Sequence, residues 1–518
     1  MTRQGFRIVA GAGWLTIVAA AVELTLREVA RKPFLPAWLG GAWSAPTLVA
    51  SAAAAATIVF LLAARPRRGL ARGAPLVFAV LFCAGVSAQL ALGARLQSDG
   101  FYYFAYLRSL AFDGDVELSN DYRLLGLGDK AHLFRLTRTG HAQSAWTVGP
   151  AILWAPFFAA GHVVARELHE TNPLVNANGI SFPYRQAVCI AGLMYGLLGC
   201  WFMYRLASRL SPRRIAAAAT VVTIGGSFML WYLVKEPSMT HAPSMALVAG
   251  FAWAWMATRE HRTTVQWVLL GLLAGFMTLV RWQNAIFALL PACDSAVILA
   301  RAWRARDGPA GRDALMKGVL FTLAATLAFL PQMLAWREIY GTWLAVSPVG
   351  PQIRFADPRI VEILWSARNG LFSTAPALYA GGIGLLLFAR ANPATGIPMV
   401  LAVAVMTYFN ASIQDWWGSA GYGGRRFDGT LPFFCIGTAY SIGAAIELVR
   451  RFPAASLAMA GAALVLWNVT LMSAAQAGIV RIGETVSFGD TMAAQARAFH
   501  GWFGNPFAYP ISLVYALR

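Results

Sequence analysis

Apolar runs separated by short polar or basic segments follow one another along almost the whole chain. A helix of about 20 mostly apolar residues crosses a bilayer, and the chain has thirteen runs near that length. They cover residues 6–26, 44–64, 74–95, 185–206, 215–234, 243–258, 265–281, 284–302, 316–336, 371–389, 395–411, 430–449 and 455–476. This pattern predicts an all-α polytopic membrane protein with about 13 transmembrane helices.

One further apolar run, residues 148–166, decides the topology. Arginine clusters favour the cytoplasmic side of a membrane. If residues 148–166 cross the membrane, all the later arginine clusters are placed on the outer side. If the run lies on the outer surface, every strong cluster falls inside, and Pro150 and Pro156 also favour a bent surface helix. We therefore predict a multi-pass protein of the plasma (inner) membrane with a cytoplasmic N-terminus. The clusters concerned are 65–72, 205–214, 259–262, 301–312 and 449–451.

This topology divides the chain into four parts. Residues 1–96 hold the first three spans, and residues 97–184 form an extracytoplasmic loop that we expect to carry interfacial helices. Residues 185–476 form the transmembrane core, and residues 477–518 form an extracytoplasmic tail. The sequence has no visible internal repeat.

The composition supports the membrane assignment and narrows the possible partners. Hydrophobic residues make up 58% of the chain and charged residues 13%, against about 25% charged residues in soluble domains. The net charge of +19 comes mainly from arginines clustered between apolar runs, which topology explains without a nucleic-acid partner. No lysine stands in a Gly-Lys-Ser/Thr motif, so the chain has no phosphate-binding loop. The cysteines lie inside apolar runs and the histidines lack zinc-site spacing, which predicts neither disulfides nor a zinc site.

The carboxylates are concentrated in the first outer loop, where eight of the 23 acidic residues lie. Asp99 opens this loop as the chain leaves the third span. The aromatic residues that follow, including Tyr102 and Tyr103, have the spacing of a helix lying on the membrane interface. Asp99 is then either a general base held at the lipid edge or the N-cap of that helix.

Two short segments at the outer ends of later spans also carry polar groups. The loop 235–242 contains Glu236 and His241, and the junction between two spans contains Arg281 and Gln283. Glu236 is either a second acid or part of a capping turn. Arg281 either meets an anion or extends its charge to the interface. All four residues are candidates for a site.

The segment 414–434, QDWWGSAGYGGRRFDGTLPFF, combines glycines, arginines and aromatic residues. Arg425 and Arg426 offer forked donors that suit a phosphate, and glycines let the backbone approach a ligand closely. Adjacent arginines on the outer side oppose the topological bias, which favours a specific anionic partner over an interfacial anchor. The aromatic residues that could stack on a sugar or seat a lipid chain are Trp416, Trp417 and Tyr422.

Taken together, these segments resemble the GT-C glycosyltransferases, multispanning enzymes that take sugars from polyprenyl-phosphate carriers and include protein O-mannosyltransferases and lipid A aminoarabinose transferases. The resemblance covers roughly residues 75–450, through the order of SDGFYYFAYLRSL, VGPAILWAPFF, RLASRLSPRR, KEPSMTH, GLLAGFMTLVRWQ, NGLFSTAPALY and GGRRFDGTLPFF. It implies that Asp99 is the base near the acceptor and that Glu236 is the second-loop acid. It also implies that Arg425 and Arg426 lie near the carrier phosphate. The implied reaction is an inverting transfer of a sugar to an extracytoplasmic glycan, lipid or protein.

The chain also departs from that pattern. The family's catalytic loop usually follows the first span, whereas Asp99 follows the third and has no acidic partner beside it. A divalent metal is therefore not favoured, although Asp113 and Asp115 could supply ligands. A secondary transporter or lipid flippase is the main alternative, and a non-catalytic membrane protein is another. Transporters tend to show inverted repeats and charges at the bilayer midplane, whereas the charged candidates here cluster at the outer rim.

Overall fold

The computed structural model of the protein describes residues 94–345, 352–448 and 454–503. The first two predicted spans, and all but the last two residues of the third, lie outside these ranges. The described residues form helices connected by loops, together with two isolated β-bridges, Leu136–Ala142 and Ile353–Ile413.

Short helices packed against one long helix make up residues 97–184, the segment predicted as an outer loop and called the first loop below. α1 (Gly100–Arg108) continues into a π-helical turn, Ser109–Asp113, and is followed by α2 (Ser119–Leu124) and a 3-10 turn, Ala131–Phe134. α3 (Gly149–Thr171) continues through Pro156 without a break.

The rest of the described chain is a bundle of helices with two 3-10 segments, Trp282–Ala288 before α9 and Arg425–Thr430 before α15. In chain order the helices are α4 (Phe182–Ala207), α5 (Arg213–Gly225), α6 (Met229–Val234), α7 (His241–Thr258), α8 (Thr264–Val280), α9 (Leu289–Ala305), α10 (Gly308–Tyr340), α11 (Ile360–Trp365), α12 (Leu371–Thr374), α13 (Ala377–Ala391), α14 (Pro393–Ala411), α15 (Leu431–Leu448), α16 (Ala454–Gln476) and α17 (Phe488–Phe503).

Six segments of the described chain are long and apolar enough to cross a membrane. They are Phe182–Ala207, Trp282–Ala305, Gly308–Tyr340, Pro393–Ala411, Arg425–Leu448 and Ser456–Gln476, and the shorter apolar helices are Thr264–Val280 and Ala377–Ala391. The prediction of an all-α membrane protein is confirmed. The number of 13 spans stays a prediction.

The predicted span 215–234 is not one continuous helix, because α5 ends at Gly225 and α6 begins at Met229. Asn468, which is fully buried in α16, donates from Nδ2 to the carbonyl oxygens of Gly225 and Ser227 at 2.9 and 2.8 Å. A buried helix break is tolerated where a neighbouring side chain satisfies the freed backbone groups. Asn468 does so here.

α3 attaches the first loop to the bundle. Its buried face includes Trp154 and Phe158. Just before the helix, Thr147 Oγ1 donates to the carbonyl oxygen of Val280 at 2.8 Å, and Gln332 Oε1 accepts the Val148 N–H at 2.8 Å. The loop is thereby fixed to the last residue of α8 and to α10.

A carboxylate is hydrogen-bonded at each end of α7. Beyond its C-terminal end, Arg259 donates to Asp294 Oδ1 from Nε and Nη2 at 3.0 and 2.7 Å, and Trp255 Nε1 donates to Asp294 Oδ2 at 2.7 Å. At its first residue, His241 contacts Asp428. The ends of several helices are therefore joined by charged groups at two separate levels of the bundle.

α13 and α15 pack closely through glycines. A Cβ on Gly437 would lie 2.6 Å from the Leu385 nitrogen and closer still to the Gly381 carbonyl oxygen. Small residues let helix backbones approach in membrane bundles, where dispersion contacts replace the hydrophobic effect as the main attraction.

We expect Gly437→Val to push these two helices apart and to lower the free energy of unfolding by about 1–3 kcal/mol, the usual cost of overpacking. Thermal unfolding of the purified protein in detergent measures the loss. Gly443→Val on the same helix is the matched control, because a Cβ there meets nothing within 4 Å. Equal losses in the two variants would contradict the close-packing assignment.

Candidate functional site

Asp99 and Arg425 form an ion pair between the start of the first loop and the segment before α15. Asp99 precedes α1, and its carbonyl oxygen accepts from the backbone N–H groups of Tyr102 and Tyr103, but its side chain makes no capping hydrogen bond. Instead, Asp99 Oδ2 lies 3.3 Å from Arg425 Nη1. The side chain of Asp99 is 30% exposed and that of Arg425 only 8%. A reachable carboxylate thus sits beside a buried cation.

A glycine-rich turn makes room for Arg425. Gly418 has a left-handed φ of 77°, and a Cβ on Gly421 would lie 2.5 Å from Arg425 Nε. Asn369 holds the turn by donating from Nδ2 to the carbonyl oxygens of Trp417 and Gly421 at 3.0 and 2.7 Å. Arg425 Nε is buried and has no hydrogen-bond partner among the described residues.

Arg426 is held differently from its neighbour. Its Nη2 donates to Asp415 Oδ1 at 2.6 Å, and its Nη1 donates to the Asp415 carbonyl oxygen at 2.5 Å. Both arginines were predicted to bind a phosphate, but only Arg425 lies beside Asp99. Arg426 anchors its own loop.

Glu236 and Tyr103 lie in the field of the Asp99–Arg425 pair. Glu236 is 8% exposed; burial raises the pKa of its carboxyl, Asp99 acts in the same direction, and Arg425 opposes them. Burial, and secondarily Asp99, raises the pKa of Tyr103 to about 12, while Arg281 and Arg425 oppose the rise. Asp99 and Arg425 therefore affect the pKa of two site residues that the sequence predicts, Glu236 and Tyr103.

The first loop lies directly on the turn that carries Glu236. A Cβ on Gly100 would be 2.8 Å from Ser238 Oγ and 2.9 Å from the Ser238 carbonyl oxygen, so only glycine fits at this contact. Tyr102 points elsewhere: its ring stacks on Trp146 at 3.5 Å. Tyr102 thus belongs to the core of the loop, whereas Tyr103 faces the charged groups.

Asp428 organises a second buried cluster. Its Oδ2 lies 2.8 Å from His241 Nδ1 and 3.1 Å from Arg281 Nη1. Its Oδ1 accepts from Ser244 Oγ at 3.2 Å and from the Gly429 N–H at 2.6 Å. A carboxylate that is 1% exposed needs such donors, because an unpaired charge is very costly to bury.

Arg281 is held from two sides. Asp428 contacts its Nη1, and Gln283, with its amide oxygen turned toward the guanidinium, accepts from Nη2 and Nε at 2.6 and 2.9 Å. The structure therefore brings the predicted residues His241, Arg281 and Gln283 together. Asp428, which connects them, was missed, although a carboxylate at the start of an apolar run signals a special environment.

The aromatic candidates have different surroundings. Tyr422 is 4% exposed, stacks on Trp231 with ring centroids 4.8 Å apart, and donates from its hydroxyl to Asn468 Oδ1 at 3.0 Å. It is a core residue. Trp416 and Trp417 are half-buried and meet edge to face at 5.7 Å, and both line a small pocket beside Arg425 and Arg426.

Asp113 and Asp115 are engaged within the first loop. Arg108 pairs with Asp113 and, at 3.0 Å, with the fully buried Asp121. Asp115 Oδ1 accepts from Ser109 Oγ at 2.8 Å. Among the described residues, no group of three or more His, Cys, Asp or Glu side chains could hold a metal ion.

An apolar groove of about 600 Å³ opens between α3, α8 and α10. Its lining includes Leu279, which stands two residues before Arg281 in the chain. Its lining residues are Ile152, Leu269, Leu272, Leu273, Phe276, Leu279, Leu327, Ala328 and Pro331. The groove suits a hydrocarbon chain.

No family model and no curated protein matches this chain. The interpretation of the site therefore depends on its residues and their geometry.

Burial of Asp121 makes the stability of the loop depend on pH. Burial raises the pKa of this carboxyl to about 6 despite the opposing effect of Arg108, so the folded protein holds the proton more tightly than the unfolded chain. Protonation of Asp121 therefore adds to the free energy of unfolding. This added stability is fully present below about pH 4, declines as the pH rises to about 6, and is absent at higher pH.

Asp121→Asn removes this dependence. As the pH rises from 4 to 7, we expect the free energy of unfolding of the variant to increase relative to that of wild type by about 1–3 kcal/mol. Thermal unfolding in detergent at each pH measures this difference. Asp129→Asn, at an exposed position of the same loop, controls for the loss of one carboxylate. Parallel curves for wild type and Asp121→Asn would show that this carboxyl does not govern the loop's stability.

Proposed function

We propose that this protein is a membrane glycosyltransferase that moves a sugar from a polyprenyl-phosphate carrier to an extracytoplasmic acceptor. The observation that carries the proposal is the Asp99–Arg425 pair, in which a carboxylate that is 30% exposed lies 3.3 Å from a buried guanidinium. Transfer from a sugar phosphate needs both groups: a base for the acceptor hydroxyl and a cation for the departing phosphate.

The chemistry follows from these two residues. Asp99 takes the proton of the acceptor hydroxyl as the acceptor oxygen attacks the anomeric carbon, and the bond from that carbon to the phosphate oxygen breaks. Arg425 stabilises the negative charge that develops on the polyprenyl phosphate. A single displacement of this kind inverts the anomeric centre.

The apolar groove supports a lipid-linked donor. Its lining is apolar and includes Leu279, two residues before Arg281 in the chain, so we assign the polyprenyl chain to it and the phosphate to the charged groups beyond Leu279. The donor would then enter sideways from the membrane lipid, with its sugar near the pocket lined by Trp416 and Trp417.

Glu236 has a supporting role in this proposal. Burial raises the pKa of its carboxyl and holds that carboxyl near Asp99 and Arg425, where it can form a hydrogen bond to a sugar or acceptor group. The same burial makes Glu236 less accessible than Asp99, which remains the better base.

The proposal predicts that Asp99→Asn lowers transfer by about 10²–10⁴-fold, the usual contribution of a positioned general base. Purified wild type and variant would be incubated with a panel of polyprenyl-phosphate hexoses and pentoses together with glycan, lipid and peptide acceptors, and release of polyprenyl phosphate would be followed. Asp129→Asn is the matched control, because it removes an exposed carboxylate from the same loop.

Full turnover by Asp99→Asn would remove the base assignment. Movement of the labelled carrier across vesicles without release of its phosphate, in wild type as well, would favour the transporter or flippase alternative.

A further inference from the structure

The two groups that the proposed reaction needs neutralise each other in this structure. While Asp99 Oδ2 accepts from Arg425 Nη1 at 3.3 Å, that oxygen is not free to face an acceptor hydroxyl, and Arg425 has one donor fewer for a phosphate. The inference below rests on the proposed function and concerns how that site is controlled.

We infer that the Asp99–Arg425 ion pair keeps the site inactive until the donor phosphate displaces Asp99 from Arg425. We call this ion pair the lock. The phosphate takes the place of Asp99 on Arg425, and the released carboxylate becomes the base. The acceptor is activated only after the donor has bound, and the pair re-forms when the polyprenyl phosphate leaves.

The neighbouring ion pair shows why Arg425 is suited to this exchange. Arg426 makes two contacts with Asp415, at 2.5 and 2.6 Å. Arg425 makes one contact with Asp99, at 3.3 Å, longer than the roughly 2.7–2.9 Å of a strong charge-assisted bond. With Nε also buried and unpartnered among the described residues, Arg425 retains donors for another anion.

The two partners also differ in how far they are enclosed. Arg425 is enclosed by the glycine turn and is 8% exposed, whereas Asp99 is 30% exposed. A phosphate would therefore displace the carboxylate and leave the guanidinium in place.

The charge balance of the reaction agrees with an order in which the donor binds before Asp99 activates the acceptor. When Asp99 accepts the acceptor's proton it becomes neutral, while the phosphate gains one negative charge as its bond to the anomeric carbon breaks. The positive charge of Arg425 thus faces a developing negative charge without competition from the carboxylate. Loss of the proton to water returns Asp99 to the form that pairs with Arg425.

The lock predicts that removing the base strengthens binding of the carrier phosphate. We expect Asp99→Asn to bind farnesyl phosphate about three- to tenfold more tightly than wild type, because no ion pair has to be broken. Isothermal titration calorimetry in detergent measures this, with farnesol as the uncharged probe. Asp129→Asn should bind like wild type.

A double variant separates the lock from simple charge repulsion. In an Arg425→Gln background, which should weaken binding about tenfold or more, Asp99→Asn should give no gain, because the pair no longer exists. A gain that persists there would show repulsion through space and overturn the lock.

Failure of the lock and failure of the proposed function give different results. If wild type binds farnesyl phosphate but Asp99→Asn binds it equally or more weakly, the lock is wrong and the carrier assignment stands. If wild type binds farnesyl phosphate no better than farnesol, the carrier assignment is wrong and the lock is lost with it.

Discussion

The end of the bundle that carries the candidate site depends on one constraint: a guanidinium buried at Arg425 must have a carboxylate beside it. The partner, Asp99, comes from a position 326 residues earlier in the chain. Because unpaired buried charges are very costly, this contact forces the start of the first loop to lie on the segment before α15. Gly100 and Ser238 then pack against each other, and the turn that carries Glu236 becomes part of the same surface.

Other buried charges are satisfied in the same way, and they join helix ends that are distant in the chain. Asp428 receives donors from α7 and from Arg281, and Asp294 receives Arg259 and Trp255. Removing one partner of such a pair costs far more than the pair itself contributes, because the remaining charge stays buried. These pairs therefore specify which helix ends meet, while close contacts such as Gly437 on Gly381 allow the helices between them to pack.

The sequence predicts most of the helices but little of the geometry of the site. Apolar runs predict helices well, since their length and composition are local properties. The break after Gly225 was missed because the residue that stabilises it, Asn468, lies more than 200 residues away. The aromatic ring of Tyr422 could stack on a ligand, but its neighbours Trp231 and Asn468 come from other helices and bury it. Asp428 was missed because its role depends on groups from two other segments.

The adjacent arginines show the limit of predicting a site from residue types. Identical guanidinium groups next to each other in the chain face different surroundings, because successive residues of a 3-10 turn point in different directions. Arg426 meets both an oxygen of the Asp415 carboxylate and its carbonyl oxygen, and this pairing fixes the loop. Arg425 enters the space left by Gly418 and Gly421, where its hydrogen bond to Asp99, at 3.3 Å, is longer than either contact of Arg426 with Asp415. The glycines therefore matter for the volume that they leave to one side chain as well as for the left-handed backbone at Gly418, and that volume separates a structural arginine from a candidate ligand-binding one.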